Sequence, residues 1–269
     1  MNRRDLCLCK KRQFEALLFL IATIVCFFFA GPPFAVADAA VQAGLSRIEI
    51  TPPVGGRPWG YSSADTTDGV HDPLYATVLV LESDETRIAL VTWDVCEFQS
   101  PKLQEEVRED GFSHLLLCCS HTHAGPNLYQ KDFPNEGETW LDTVEERTAA
   151  AIEEAEQNMF PAYFAVGEGD IQLGYNRLVR GPDGLNITHF NNEERIPYGP
   201  VDPTVGVIRI EDDMGAVRAV IVHYACHPVV LGPRNRKISA DYVGAMRDKI
   251  ENELGESVYC LFLQGCGGD

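Results

Sequence analysis

Apolar and polar positions alternate in short runs along most of this chain. Runs at 46–50, 74–81, 87–93, 114–119, 163–169, 206–210, 217–225 and 257–263 predict eight strands. Two pairs lie close enough to turn directly into hairpins. One turns through 82–86, the other through 211–216, where Gly215 supplies the turn. The period becomes helical at three places. Over 138–159, Leu141, Val144, Thr148, Ile152, Ala155 and Met159 step along one face while glutamates line the other. A second helix is predicted over 241–254, capped by Ser239 or Asp241 and ended by Gly255. A third, over 101–109, is short. Antiparallel pairs followed by strand–helix alternation give an α/β fold, a mixed β-sheet or sheets covered by helices. The stretch 174–203, rich in Gly, Pro and Asn, breaks the pattern; a loop that long is expected to be functional or disordered.

The first 37 residues follow another pattern. Arg3, Arg4, Lys10, Lys11 and Arg12 precede an apolar run from Ala16 to Ala30, and Ala35-Val36-Ala37 has the small-x-small form of a cleavage site. The run is shorter than the roughly 20 residues of a membrane span, so a cleaved export signal is expected over 1–37, with an uncleaved anchor as the other reading. The domain then runs over 38–269. The expected location is periplasmic or secreted, with no stable membrane insertion after cleavage.

Composition narrows the partners. Of 22 Lys/Arg and 40 Asp/Glu, five and two fall in the leader, which leaves 17 against 38 and a formal charge of −21. Such an acidic balance argues against nucleic acid and anionic membrane surfaces as partners and suits the solubility of an exported protein. Six of the nine cysteines lie beyond the leader: Cys96, Cys118, Cys119, Cys226, Cys260 and Cys266. Five sit in or beside apolar runs, where cysteine behaves as a small buried hydrophobe, so free thiols are expected. If a disulfide forms, Cys118 or Cys119 with Cys226 is the pair to examine. No CxxC pair is present, which argues against a structural zinc knot.

Candidate chemistry gathers where strands end. Ser120-His121-Thr122-His123-Ala124-Gly125-Pro126 follows the apolar run 115–119, and Tyr224-Ala225-Cys226-His227-Pro228 closes the run 217–225. A strand fixes the backbone and the loop beyond it leaves room for a ligand. Neutral imidazole is a good zinc ligand, and His121 and His227 on neighbouring strand ends could supply two of the three protein ligands that a catalytic zinc needs. His223 is about 13 Å from His227 by strand rise, too far to share one ion. Asn176-Arg177 in the long loop and Asp94 after the run 87–93 are further polar candidates. A hydrolase using His121, His123, His227 and Asp94 around one metal is one arrangement of these groups.

The HTHAGP element resembles the SHTHSGP signature of the neutral/alkaline ceramidases. Further stretches are similar in order: Gly44 to Pro53, His71-Asp72-Pro73-Leu74-Tyr75-Ala76, Asn176-Arg177, the Ala-Cys-His-Pro segment, and Ser239-Ala240-Asp241-Tyr242. The resemblance spans about 43–269 and implies a ceramidase-like N-terminal catalytic domain working as a zinc-dependent amidase. It implies Zn2+ on His121 and His227 and His123 and Arg177 as catalytic groups on the substrate; Asn176, Asp94 and Asp241 are expected as substrate-binding positions. The implied substrate is an N-acylsphingosine-like or related small-molecule or lipid amide. It also implies that a Glu and a Tyr completing the zinc site lie past Asp269, so the chain is expected to be the N-terminal portion of such an enzyme. The contrasting expectation is an exported fragment without catalysis that binds metal weakly at most. Nothing in the sequence bears on oligomeric state.

Overall fold

A computed structural model describes residues 41–61, 65–128, 140–189, 192–255 and 257–268. The proposed leader and the start of the predicted helix at 138 lie outside the described residues. All eight predicted strands form, and shorter ones join them. The strands are β1 (Gln42–Glu49), β2 (Gly69–Val70), β3 (Tyr75–Ser83), β4 (Thr86–Trp93), β5 (His114–Cys119), β6 (Phe160–Pro161), β7 (Tyr163–Asp170), β8 (Leu178–Arg180), β9 (Asn186–Thr188), β10 (Thr204–Glu211), β11 (Val217–Tyr224), β12 (Lys237–Ile238) and β13 (Tyr259–Gln264). The helices are α1 (Pro101–Glu109), α2 (Trp140–Gln157) and α3 (Tyr242–Leu254). No helix among the described residues is long and apolar enough to cross a membrane.

The strands divide into two main mixed sheets. One has the order β5-β4-β3-β1-β6, the other β13-β11-β10-β7. Each carries one parallel pair at its edge, β4 with β5 and β11 with β13; the other neighbours are antiparallel. The two sheets stack. Ala43, Leu45, Leu79 and Leu90 of the first meet Ile210, Ala219, Ile221 and Leu261 of the second in one buried cluster. The alternate positions point outwards. Ala76, Val78, Val80, Ala89, Val91 and Trp93 pack under α1 and α2, while Val220, Val222, Tyr224, Cys260 and Phe262 pack with Val243 of α3. The period of two thus gives every central strand two apolar faces, and the result is a helix–sheet–sheet–helix stack.

Local chemistry sets the element ends. Ser100 caps α1, its hydroxyl accepting from the Leu103 N–H at 3.0 Å, and Pro101 follows at the first turn. Leu103 and Val107, four apart, are the buried face. Helix α2 lies close on β1: the Ser46 hydroxyl donates to the Ala151 carbonyl at 2.6 Å. A Cβ on Gly44 would sit 1.8 Å from the Ala155 carbonyl oxygen, so only glycine permits this approach. Asp241 caps α3 and Gly255 ends it, as the sequence predicts. The stretch 174–203 is less irregular than its composition suggests, because β8 and β9 pair as a small hairpin with Gly184 at φ +82° in the turn.

All six described cysteines are free thiols, so the Cys118 or Cys119 to Cys226 pairing is absent. Cys118 packs between the sheets. The Cys119 thiol faces the Phe98 carbonyl, and Cys226 lies beyond the end of β11. Cys96 and Cys260 are buried and Cys266 is exposed.

Candidate metal and active site

The two parallel strand pairs direct their C-terminal ends to one place. Beyond β5 the chain enters the His121–His123 turn; beyond β11 it enters the Cys226-His227-Pro228 turn. These strands belong to different sheets rather than being neighbours in one, and stacking of the sheets brings the turns together. The His123 N–H donates to the Pro228 carbonyl at 3.2 Å and ties one turn to the other. Thr122, fully buried, donates to the Ser239 carbonyl at 2.8 Å, and the Ser239 N–H returns a bond to the Ala124 carbonyl at 3.1 Å. The Tyr242 hydroxyl donates to the Cys226 carbonyl at 2.7 Å and holds the second turn from α3. His121 has φ +69°, a left-handed conformation costing about 1–3 kcal/mol in a non-glycine residue, which the surrounding bonds sustain.

Three imidazoles meet as a result. Ring centroids are 4.6 Å apart for His121 and His227, 4.8 Å for His123 and His227, and 5.1 Å for His121 and His123. Their hydrogen bonds assign the tautomers. His121 Nδ1 donates to the Cys96 carbonyl at 2.7 Å, and His227 Nδ1 donates to the Gly267 carbonyl at 2.8 Å. Each ring therefore carries its lone pair on Nε2. Metal-binding histidines are oriented in this way, with the far nitrogen tied to a backbone carbonyl. His227 Nε2 lies 2.9 Å from His123 Nε2, so His123 is the donor there. His123 Nδ1 is left buried with no hydrogen-bond partner among the described residues. Burial, then His227, His121 and Arg177, press the His123 pKa down to about 4, so this ring is neutral at pH 7.

The structure places the other predicted residues unequally. Arg177 comes to the site: its charge bears on His123 and Tyr61, its guanidinium donates to the Gly268 carbonyl at 3.2 Å, and it lines a cleft with His227. That cleft, about 220 Å³, has Leu173, Val201 and Val229 on its walls. Asn176 braces the loop, donating to the Pro200 carbonyl and accepting from the Leu178 N–H. Asp94 is not brought to the imidazoles. It is 4 % exposed, paired with Arg247 at 2.6 Å, and accepts from the Tyr75 N–H. The Asp241 carboxylate is likewise engaged, accepting from the Val230, Leu231 and Tyr242 N–H groups. His223 is exposed and stands against Gly265, away from the three rings.

Four more residues join the site through contacts across the fold. Gly60, at φ +83°, packs so closely that a Cβ there would lie 2.2 Å from His123 Nδ1. The Tyr61 ring tilts against His123 at 5.3 Å. Burial first, then the Asp241 charge, raises the Tyr61 hydroxyl pKa to about 12. Gly267 supplies the carbonyl for His227. Cys96 supplies the carbonyl for His121, and its thiol joins His121 and His123 in a donor set within 4.8 Å, close enough to hold a metal ion.

A model of the neutral/alkaline non-lysosomal ceramidase N-terminal region matches residues 41–261. The chain belongs to this family. It is similar to neutral ceramidase A of Dictyostelium discoideum, 28 % identical over 236 residues that cover 77 % of this chain and 31 % of the relative. Neutral ceramidase B of the same organism is 29 % identical over 203 residues, covering 65 % and 26 %. Among solved structures, neutral ceramidase from Pseudomonas aeruginosa superposes with a TM-score of 0.66 at 20 % identity, over 85 % of this chain and 39 % of that one. A ceramidase complexed with C2 gives the same score at 20 % identity, over 84 % and 37 %. The chain thus spans about a third of the length of the relatives it matches. The shared fold is the stacked mixed sheets with helices outside.

Proposed function

We propose that this chain carries the metal- and substrate-binding face of a zinc-dependent hydrolase of N-acyl linkages, acting on a ceramide-like lipid amide or a related amide. One observation carries the proposal: three imidazoles meet with ring centroids 4.6 to 5.1 Å apart, and His121 and His227, from turns of separate sheets, are each tied through Nδ1 to a backbone carbonyl, which leaves Nε2 as the donor atom. His121 and His227 are the residues to hold zinc, whose donor preferences they fit. When bound, zinc supplies Lewis-acid polarisation of the amide carbonyl and acidifies water.

The protein's own groups do the rest. His123 is neutral, and with His227 Nε2 given to zinc the Nε2–H that it donates there would be free to donate to the oxygen that gains charge as the amide is attacked. Arg177 lines the cleft beside His227, where its planar donors can orient the substrate's oxygens. The apolar cleft wall accepts hydrocarbon and excludes water from the reacting bond. Asn176 keeps Arg177 in place through its two bonds within the loop. The leader over 1–37 is consistent with export.

The test is metal content together with hydrolysis of a fluorescent N-acylsphingosine. Wild-type protein is expected to hold one zinc, lost in both His121→Ala and His227→Ala. His123→Ala and Arg177→Ala are expected to keep zinc and lose turnover. Wild-type protein that takes up no zinc would sink the proposal.

A further inference from the structure

We infer that the segment Ser239-Ala240-Asp241-Tyr242 is a clasp that sets the spacing of the two histidine turns, and that Asp241 is its positioning residue for His227. This deepens the metal-binding reading above and rests on it. The segment grips both turns through separate bonds. Thr122, between His121 and His123, donates its hydroxyl to the Ser239 carbonyl at 2.8 Å, and the Ser239 N–H donates to the Ala124 carbonyl at 3.1 Å. The other turn is gripped on either side of His227. Before it, the Cys226 carbonyl accepts from the Tyr242 hydroxyl at 2.7 Å. After it, the Val230 and Leu231 N–H groups donate to the two oxygens of Asp241 at 3.1 and 3.0 Å. Four consecutive residues thus join turns that leave different sheets.

The clasp is itself anchored. Asp72 accepts from the Ser239 hydroxyl and, at 2.8 Å, from the Ala240 N–H. The Ser239 hydroxyl accepts in turn from the Asp241 N–H at 2.9 Å. Gly244, in the first turn of α3, lets Asp72 come close, since a Cβ there would lie 2.7 Å from Asp72 Oδ1. Backbone strain marks the same place. Among the described residues four non-glycine residues have positive φ. Asp84 and Arg195 are exposed, and the other two are His121 and Asp241. Asp241, at φ +57° and ψ −144°, stands close to a region that only glycine enters freely. It is 6 % exposed, and its carboxylate takes a third bond from the Tyr242 N–H at 2.7 Å. A charged acceptor makes such bonds strong. They hold the strained residue, and they occupy both carboxylate oxygens, which leaves Asp241 to position the turn rather than to touch substrate or metal. Groups behind a metal's ligands fix the ligands' orientation and so raise affinity for the ion.

Calorimetric zinc titration of the purified full chain, read beside thermal unfolding of the metal-free protein, tests this without an activity readout. Asp241→Asn keeps one acceptor oxygen and turns an NH2 group towards a backbone N–H. It is expected to bind zinc roughly 10- to 100-fold more weakly than wild type. Asp241→Gly relieves the backbone at φ +57° and removes the grip on Val230 and Leu231. It is expected to lose zinc affinity by a similar factor while its metal-free Tm stays near the wild-type value, a divergence that a purely structural role would not produce. Ile152→Ala, a core change in α2, is expected to lower Tm and keep wild-type zinc affinity. Wild-type affinity in Asp241→Asn or Asp241→Gly overturns the inference and leaves the histidine site standing. A loss of affinity in Ile152→Ala equal to that in Asp241→Asn does the same, because affinity would then only follow stability. Wild-type protein that binds no zinc overturns the metal reading and the clasp's role with it. Should Asp241→Asn fail to fold, Asp241→Gly decides.

Discussion

Asp94 was expected to face the substrate, and the structure pairs it inside the fold, so its replacement separates two accounts of one residue. Both side chains of the Asp94–Arg247 pair are 6 % exposed, with 2.6 Å between Arg247 Nη1 and Asp94 Oδ2. The guanidinium also lies over the Tyr75 ring, 4.9 Å from its centroid. Burial opposes the charge on Arg247, but Asp94, with Glu251 and Asp248, outweighs it and leaves the pKa raised. Asp94→Asn keeps an acceptor for the Tyr75 N–H and removes the charge, stranding a buried cation. Removing one partner of a buried pair costs about 3–5 kcal/mol. At roughly 2–4 °C per kcal/mol for a domain of this size, Tm should fall by roughly 6–20 °C. Arg247→Met should be destabilised comparably. The double variant should be less destabilised than the two single losses together, with a coupling energy of about 1–3 kcal/mol. Thermal and urea unfolding of the four proteins measures all of this. An Asp94→Asn protein within about 2 °C of wild type, impaired only in hydrolysis, would refute the structural role and return Asp94 to the substrate.

Three further outcomes are expected. Gly60→Ala forces a Cβ onto His123 Nδ1 from a backbone at φ +83°, so a crystal structure of the variant should show the His123 ring moved off His227, with a lowered Tm. His123 has a folded pKa of about 4, below its unfolded value of about 6.5, so it binds fewer protons folded than unfolded between those limits. Its contribution is neutral above pH 6.5 and grows more destabilising as pH falls towards 4; denaturation midpoints of metal-free protein at pH 4.5 and 7 should differ less in His123→Gln than in wild type. Among the described cysteines Cys266 alone is exposed, so mass mapping after brief alkylation of folded protein should find Cys266 labelled well before Cys96 and Cys260.

Much of the frame was legible in the sequence because period-2 and period-3.6 patterns are local. Continuous apolar runs such as Val78-Leu79-Val80 and Val220-Ile221-Val222 read as buried strands whatever covers them. The division into two sheets was not legible, since both faces of the central strands are apolar and the pattern does not say whether a helix or another sheet lies opposite. Gly44 illustrates this: its necessity appears only when α2 is laid on β1. At the site, the histidines were found because their turns carry recognisable sequence. Cys96, Gly60 and Tyr61 were not, because their roles come from contacts across the fold. Asp94 was correctly seen at a strand end, but its partner Arg247 is 153 positions away.

The most direct test of the central claim is zinc-edge anomalous diffraction from a crystal of the zinc-loaded protein. The account predicts one strong peak within bonding distance, about 2.0–2.1 Å, of Nε2 on both His121 and His227, with their Nδ1 atoms still on the Cys96 and Gly267 carbonyls. A map with no peak between those two rings, or a zinc held elsewhere on the chain, would contradict it.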